Sequence, residues 1–165
     1  MTTFAPQVAP RPKVLRSFAA KDLMTRNPLV LEKQIPIRRA SALLRIHRLD
    51  AAPVVDELGR LVGVITNVSC AAWEESSQRS SAHGFVRDNL YLTPVSKICS
   101  PIVESIRDDA SNHEVIDRLA ERRARRIYVV NKRHELVGVV SISDLIRHLT
   151  ERSAGSLGSR ASAVC

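Results

Sequence analysis

The chain carries an altered second copy of one of its own stretches, and an internal repeat has to be placed before any other expectation. Residues 136–144 (LVGVVSISD) follow an earlier 61–69 (LVGVITNVS) at an offset of about 75 residues. Each copy reads as an apolar strand that breaks into a polar turn and then a helix. In the second copy the turn gathers two hydroxyls and a carboxylate, Ser141, Ser143 and Asp144, where a strand end meets a helix start. Such a corner suits a small polar ligand.

The flanking residues repeat in the same order. In the first half, Leu29, Val30 and Leu31 form a short apolar strand, and Pro36 stands where a helix begins, at a position that needs no amide hydrogen. Ile37, Ala40, Leu43 and Leu44 recur at helical spacing with Arg38, Arg39 and Arg45 between them, predicting an amphipathic helix of about 12 residues. Ala52 to Val55 and Leu61 to Thr66 make a hairpin around a turn at 56–60 in which Gly59 can take positive φ, and a helix runs on through about Trp73. In the second half, Ile102, Glu104 and Ile106 alternate as a half-buried strand. Ser111 caps a helix whose Glu114 completes a capping box and whose apolar stripe is Val115, Ile116 and Leu119. Ile127 to Val130 and Leu136 to Val140 form the second hairpin, and Ile142 to Leu149 the last helix. The fold class is therefore α/β (α+β), two β-α-β-β-α repeats packed as a pseudo-two-fold pair. The repeats occupy 19–75 and 94–150. Around them lie a flexible proline-containing lead-in at 1–18, a linker of small polar residues at 76–93, and a disordered tail rich in Ser, Ala and Gly at 151–165.

Composition narrows the function classes. With 44% hydrophobic and 25% charged residues, the 165-residue chain is ordinary for a globular protein. A net charge of +8 concentrates anions such as phosphates, nucleotides, nucleic acid or acidic membrane without choosing among them. Only 4% of residues are aromatic, so a base-stacking platform is scarce. No apolar run approaches the roughly 18 residues of a membrane span, and the first thirteen residues lack the apolar core of a secretory signal. Cys70, Cys99 and Cys165 show neither close pairing nor zinc-like spacing with the histidines, so no metal is expected and a reduced cytoplasm is the simplest home. Catalysis is disfavoured: no nucleophile-base pairing or paired carboxylates stand out, and none of the six glycines falls in G-x-x-x-x-G-K order.

The repeat resembles the cystathionine-β-synthase-type (CBS) domain, two of which in tandem make a Bateman module. The resemblance covers about residues 20–150. It is carried by 21–25 (KDLMT), 52–56 (APVVD) and 61–66 (LVGVIT) in the first half, and by 126–130 (RIYVV) and 136–144 in the second. It implies a cleft between the repeats that takes an adenosine compound: AMP, ADP, ATP, NAD or S-adenosylmethionine, bound as a ligand and not as a required cofactor. It implies that Asp144 accepts hydrogen bonds from the ribose hydroxyls with Ser141 and Ser143 beside it. It also implies that adenine lies between Val139 and Asn27, Pro28, Leu29, Leu49 and Ala51, and that Arg125 and Arg126 face the phosphates. An ionised carboxylate has two acceptor oxygens and makes the stronger, charge-assisted bonds, which suits a sugar diol. The first half departs from the pattern: Ser69 stands at the position of Asp144, and Asp50 and Ala51 at those of Arg125 and Arg126. The site built on Thr66 and Ser69 is thus a degenerate second one.

Plainer readings sit beside these. Ser141 and Asp144 also fit a helix-capping pattern, and a carboxylate in the first turn is favoured by the helix dipole, so cap and ligand contact can coexist. The basic run ending at Arg125 and Arg126 fits a solvated helix end, and Trp73 fits buried packing or a subunit interface. The leading expectation is a regulatory, energy-sensing homodimer acting on a separate effector protein, with no membrane partner. Two alternatives are a nucleic-acid binder driven by the basic surface and a ligand-free CBS scaffold.

Overall fold

The computed structural model describes residues 18–80, 92–121 and 125–157. The lead-in at 1–17, the part of the linker at 81–91, Arg122 to Ala124 of the basic run and the tail at 158–165 lie outside the described residues. The first half runs α1 (Ala20–Leu23), β1 (Thr25–Arg26), β2 (Leu31–Glu32), α2 (Ile37–Ile46), β3 (Ala51–Val55), β4 (Leu61–Thr66) and α3 (Asn67–Ser80). After a 3-10 turn at Val95–Lys97, the second runs β5 (Ser105–Arg107), α4 (Asn112–Glu121), β6 (Arg126–Val130), β7 (Leu136–Ser141) and α5 (Ile142–Leu157). The chain is thus a mixed α/β fold with two β-α-β-β-α units.

Each unit forms its own sheet: β2-β3-β4 in the first half, β1-β7-β6-β5 in the second. The hairpins β3-β4 and β6-β7 are antiparallel and share a register, with a bulge between Val54 and Val55 in one and between Val129 and Val130 in the other. Strand β1, from the first half, joins the second half's sheet by pairing antiparallel with β7, Thr25 opposite Val139. The reciprocal bridge joins Ser100 to Val64.

This exchange extends into the cores. Phe18, Ala20 and Leu23 are buried with Ile106, Val115, Ile127 and Val140 of the second half, while Val95 is buried with Leu31, Ile37, Leu44 and Ile65 of the first. Each fully buried Leu, Ile or Phe contributes about 1.5–3 kcal/mol relative to exposure, so each lobe depends on a segment lent by the other. Glycine makes the crossing close. A Cβ on Gly138 would stand 2.5 Å from Met24 Sδ, and one on Gly63 would stand 2.9 Å from both Cys99 Sγ and the Ser100 carbonyl.

The lobes are related by a pseudo-two-fold axis whose position the hydrogen bonds fix. The Leu61 amide donates to the His134 carbonyl (3.2 Å) and the Leu136 amide to the Gly59 carbonyl (3.0 Å), a reciprocal pair under the repeat offset. Further along the axis, Arg126 Nη1 donates to the carbonyl of Ala51, its own counterpart 75 residues earlier, at 3.4 Å.

The elements differ from expectation in six places. Pro36 is the N-cap of α2, which has 10 residues, because the helical bonds begin with the Ala40 amide donating to the Pro36 carbonyl. Among 29–31 only Leu31 pairs with β3. In place of the strand expected through Ile102, Glu104 and Ile106, only Ser105–Arg107 pairs with β6, and Ile102 is 84% exposed. Helix α3 continues through Ser80 into the expected linker, where Ser76 Oγ donates back to the Trp73 carbonyl (2.8 Å) and so stays within the helix. Helix α5 continues through Leu157 into the expected tail, and Phe18, assigned to the lead-in, is a core residue at 6% exposure. Trp73 packs, partly buried, against the first lobe's core. Among the described residues no helix is long and apolar enough to cross a membrane.

Candidate functional site

In both lobes the turn after the last strand is closed by a reciprocal cap. At the start of α5, the Ser141 amide (2.9 Å) and Ser141 Oγ (2.5 Å) donate to Asp144 Oδ2, and the Asp144 amide donates back to Ser141 Oγ (3.3 Å). At the start of α3, the Thr66 amide donates to Ser69 Oγ and the Ser69 amide to Thr66 Oγ1, both at 3.0 Å. The other carboxylate oxygen, Asp144 Oδ1, accepts from Arg147 Nη2 at 2.6 Å and from Thr25 Oγ1 at 3.4 Å, and the residue is 9% exposed. The predicted ligand carboxylate is therefore also a structural cap, with both oxygens engaged.

Between the lobes lies a cavity of about 680 Å³. The first half contributes Asp50, Ala51, Val64, Asn67 and Val68; the second contributes Ile102, Val103, Glu104, Arg125, Arg126, Tyr128, Ser141, Ile142 and Ser143. Asp50 and Arg125, Ala51 and Arg126, Asn67 and Ile142, and Val68 and Ser143 are counterparts under the offset, so the cavity straddles the pseudo-axis. Its charges break the symmetry: both guanidiniums come from the second half, and Asp50 faces them from the first.

Of the predicted ligand residues, the cavity brings together Ala51, Arg125, Arg126, Ser141 and Ser143. Asn27, Pro28, Leu29, Leu49, Val139 and Asp144 are not among its walls, and neither are Thr66 and Ser69. Asn27 sits between β1 and β2 at φ 50°, Leu49 accepts from Asn67 Nδ2 (2.8 Å), and Val139 lies between Thr25 and Tyr128 in the sheet. The residues that sequence reasoning left out were reachable by the offset itself, since Asn27, Pro28 and Leu29 map onto Ile102, Val103 and Glu104, and Val139 maps onto Val64.

One backbone bond distinguishes the two related walls. The Tyr128 amide donates to the Glu104 carbonyl at 2.9 Å and ties Glu104 to β6. Its counterpart is Pro53, which has no amide to offer the Leu29 carbonyl. Tyr128 is 6% exposed, and burial pushes its phenol above the ordinary range, so the hydroxyl stays a donor at neutral pH. Glu104 pairs with Arg118 at 3.6 Å. Burial also raises the thiols of Cys70 and Cys99, which makes them poor nucleophiles. Among the described residues no cluster of His, Cys, Asp and Glu could hold a metal ion.

The CBS domain family model matches residues 20–69 and 95–151, and the chain belongs to the CBS domain family. It is 30% identical over 133 residues to subunit gamma-3 of the human 5′-AMP-activated protein kinase, covering 79% of this chain but only 26% of that subunit. The crystal structure of CBSX2 in complex with AMP superposes with a TM-score of 0.67 at 22% identity, covering 82% of this chain and 98% of that one. The CBS domain pair of protein MJ0100, in complex with 5′-methylthioadenosine and S-adenosyl-L-methionine, superposes at 0.61 with 23% identity, over 83% of this chain and 99% of that one. These structures share the tandem architecture described above.

Proposed function

We propose that the protein is a regulatory sensor that binds an adenine nucleotide or adenosyl compound between its two CBS repeats and passes the change in lobe geometry to a separate partner in the cytoplasm. The observation that carries this reading is the axial cavity, which joins Arg125, Arg126, Tyr128 and Ser143 to an apolar wall of Val64, Ile102 and Val103. Donors for a phosphate beside an apolar slot for a base make a nucleotide-shaped set of contacts. The counterpart cleft around Asn27, Pro28, Leu29, Leu49, Val139 and Asp144 is the alternative placement. The AMP bound to CBSX2 and the adenosyl compounds bound to MJ0100 support the ligand class. A homodimer is proposed as well, supported by Ile142, Ile146 and Leu149, exposed at helical spacing along α5. Ligand can move the lobes only by the difference between its affinities for their arrangements.

The test is a thermal-shift panel of AMP, ADP, ATP, NAD and S-adenosylmethionine. A bound ligand at 100 times its dissociation constant adds about 2.7 kcal/mol, which raises Tm by roughly 5–10 °C in a domain of this size. Arg125→Gln is expected to weaken the response to AMP, ADP, ATP and NAD while leaving that to S-adenosylmethionine, which has no phosphate. A panel that moves Tm for none of the five would turn the reading to a ligand-free scaffold.

A further inference from the structure

Three carboxylates stand at or near the axial cavity, and they are in different states. Asp144 is off its wall, with both oxygens taken by Ser141, Thr25 and Arg147. Glu104 is on the wall but paired with Arg118. Asp50 is on the wall and exposed, and its carboxylate accepts no hydrogen bond and meets no cation within 4.0 Å among the described residues. Its backbone is nonetheless fixed, since its carbonyl accepts from the Asn67 amide at 2.9 Å where β3 begins and β4 passes into α3. Arg125, its counterpart across the pseudo-axis, faces the same space and makes no ion pair among the described residues. A second donor is waiting there. Tyr128 is nine-tenths buried, lines the cavity, and its hydroxyl has no partner among the described residues.

We propose that Asp50, and not Asp144, reads the sugar of an adenosine ligand in this cavity. It accepts the 2′ and 3′ hydroxyls, while Arg125, Arg126 and the Tyr128 hydroxyl take the 5′ phosphate. This rests on the adenosine-ligand reading given above. A carboxylate offers two acceptor oxygens to the two donors of a vicinal diol, and the charge makes those bonds the stronger sort. Ser69 could not do this, because its hydroxyl accepts from the Thr66 amide and donates to the Thr66 carbonyl (2.9 Å). In the first lobe the acid is supplied from the start of β3, one strand over from the expected position. Asp144 is then left to hold the start of α5.

The experiment measures dissociation constants of AMP and 2′-deoxy-AMP by calorimetry on the full chain, on Asp50→Asn and on Asp144→Asn. One hydrogen bond to a charged group is worth about a factor of ten, so wild type is expected to prefer AMP by roughly tenfold. Asp50→Asn, whose neutral amide keeps one acceptor oxygen but loses the charge, should cut that ratio by several-fold, and Asp144→Asn should leave it as it was. Because each ratio is taken within one protein, a general loss of stability does not imitate the effect, and Asp50→Asn alone decides if Asp144→Asn fails to fold. A ratio unchanged in Asp50→Asn, or lost only in Asp144→Asn, overturns the assignment while nucleotide binding stands. Absence of AMP binding to wild type overturns both this assignment and the reading beneath it.

Discussion

In the second lobe Ser141 and Asp144 close the start of α5 with a hydroxyl and a carboxylate; in the first, Thr66 and Ser69 close α3 with two hydroxyls. Both caps are reciprocal and satisfied, so the helices start equally well and the exchange of Asp for Ser is invisible to the fold. What changes is charge. The second lobe fixes a carboxylate under Arg147, while the first leaves the helix start neutral and places its acid, Asp50, on the cavity wall. A second contrast is a bond made on one wall alone: the Tyr128 amide donates to the Glu104 carbonyl, and its counterpart Pro53 has no amide to donate. Duplicated lobes thus share a backbone plan and diverge where side chains face the axis, so a residue's counterpart locates a site without specifying its chemistry.

The largest expected effect tests the exchange of segments. Phe18→Ala removes a ring buried in the second lobe's core, packed edge-on to His148 with ring centres 5.1 Å apart. Its loss is expected to cost about 3–5 kcal/mol. Hydrogen exchange should quicken at Ile127 to Val130, in the other half of the chain, before it does at Val54 and Val55. Faster exchange confined to the first lobe would show that the segment does not cross.

The crossing glycines come next in size. At Gly63 an added methyl meets the Ser100 carbonyl, which is backbone and bridged to Val64; at Gly138 it meets side-chain atoms alone, Met24 from Sδ (2.5 Å) back to Cβ (3.0 Å). Overpacking costs roughly 1–3 kcal/mol, and Gly63→Ala is expected near the top of that range and Gly138→Ala near the bottom, read as the difference in denaturant midpoint. Equal losses would mean that the two crossings yield alike.

The repeat was legible because both copies keep the strand pattern around Gly63 and Gly138, and local signals placed the helices well. Pro36 marked the start of α2, and Ser111 receives the Glu114 amide at 3.4 Å as a cap should. The exchange of lead-in segments was not legible, because Phe18 and Ala20 carry no local pattern that says which core they enter. Ile102 and Glu104 alternate like a strand, yet they line a cavity, and strand pairing with β6 begins only at the Glu104 carbonyl, which accepts from the Tyr128 amide. At the cavity, the family pattern made the shared placement of Arg125, Arg126, Ser141 and Ser143 legible. Asp50 was legible only as a departure from that pattern, since its place on the same wall depends on what lies across the axis.

The smallest effect concerns the hairpin turns, where the lobes solve one problem with opposite charges. Asp56 Oδ1 accepts from the Leu58 (3.0 Å) and Arg60 (2.9 Å) amides, and its counterpart Asn131 Oδ1 accepts from those of Arg133 (2.8 Å) and Glu135 (3.1 Å). Asp56 Oδ2 then takes Arg60 Nε at 2.8 Å, where Asn131 Nδ2 donates to Glu135 Oε2 at 2.6 Å. The Arg60 side chain and the turn amides hold the Asp56 carboxyl below the ordinary aspartate range. A group with a lowered folded pKa adds stability above its unfolded pKa and loses it as pH falls through the folded one, so the first turn weakens in acid. Asn131 has no such proton to gain. Asp56→Asn keeps the amide acceptor and removes the titration, so it should lower stability slightly at neutral pH and flatten the dependence below about pH 4. Thermal midpoints of the two proteins across that range should converge on acidification. Curves that stay parallel would show that the acid sensitivity lies elsewhere, in pairs such as Lys33 with Glu57 or Arg107 with Asp109.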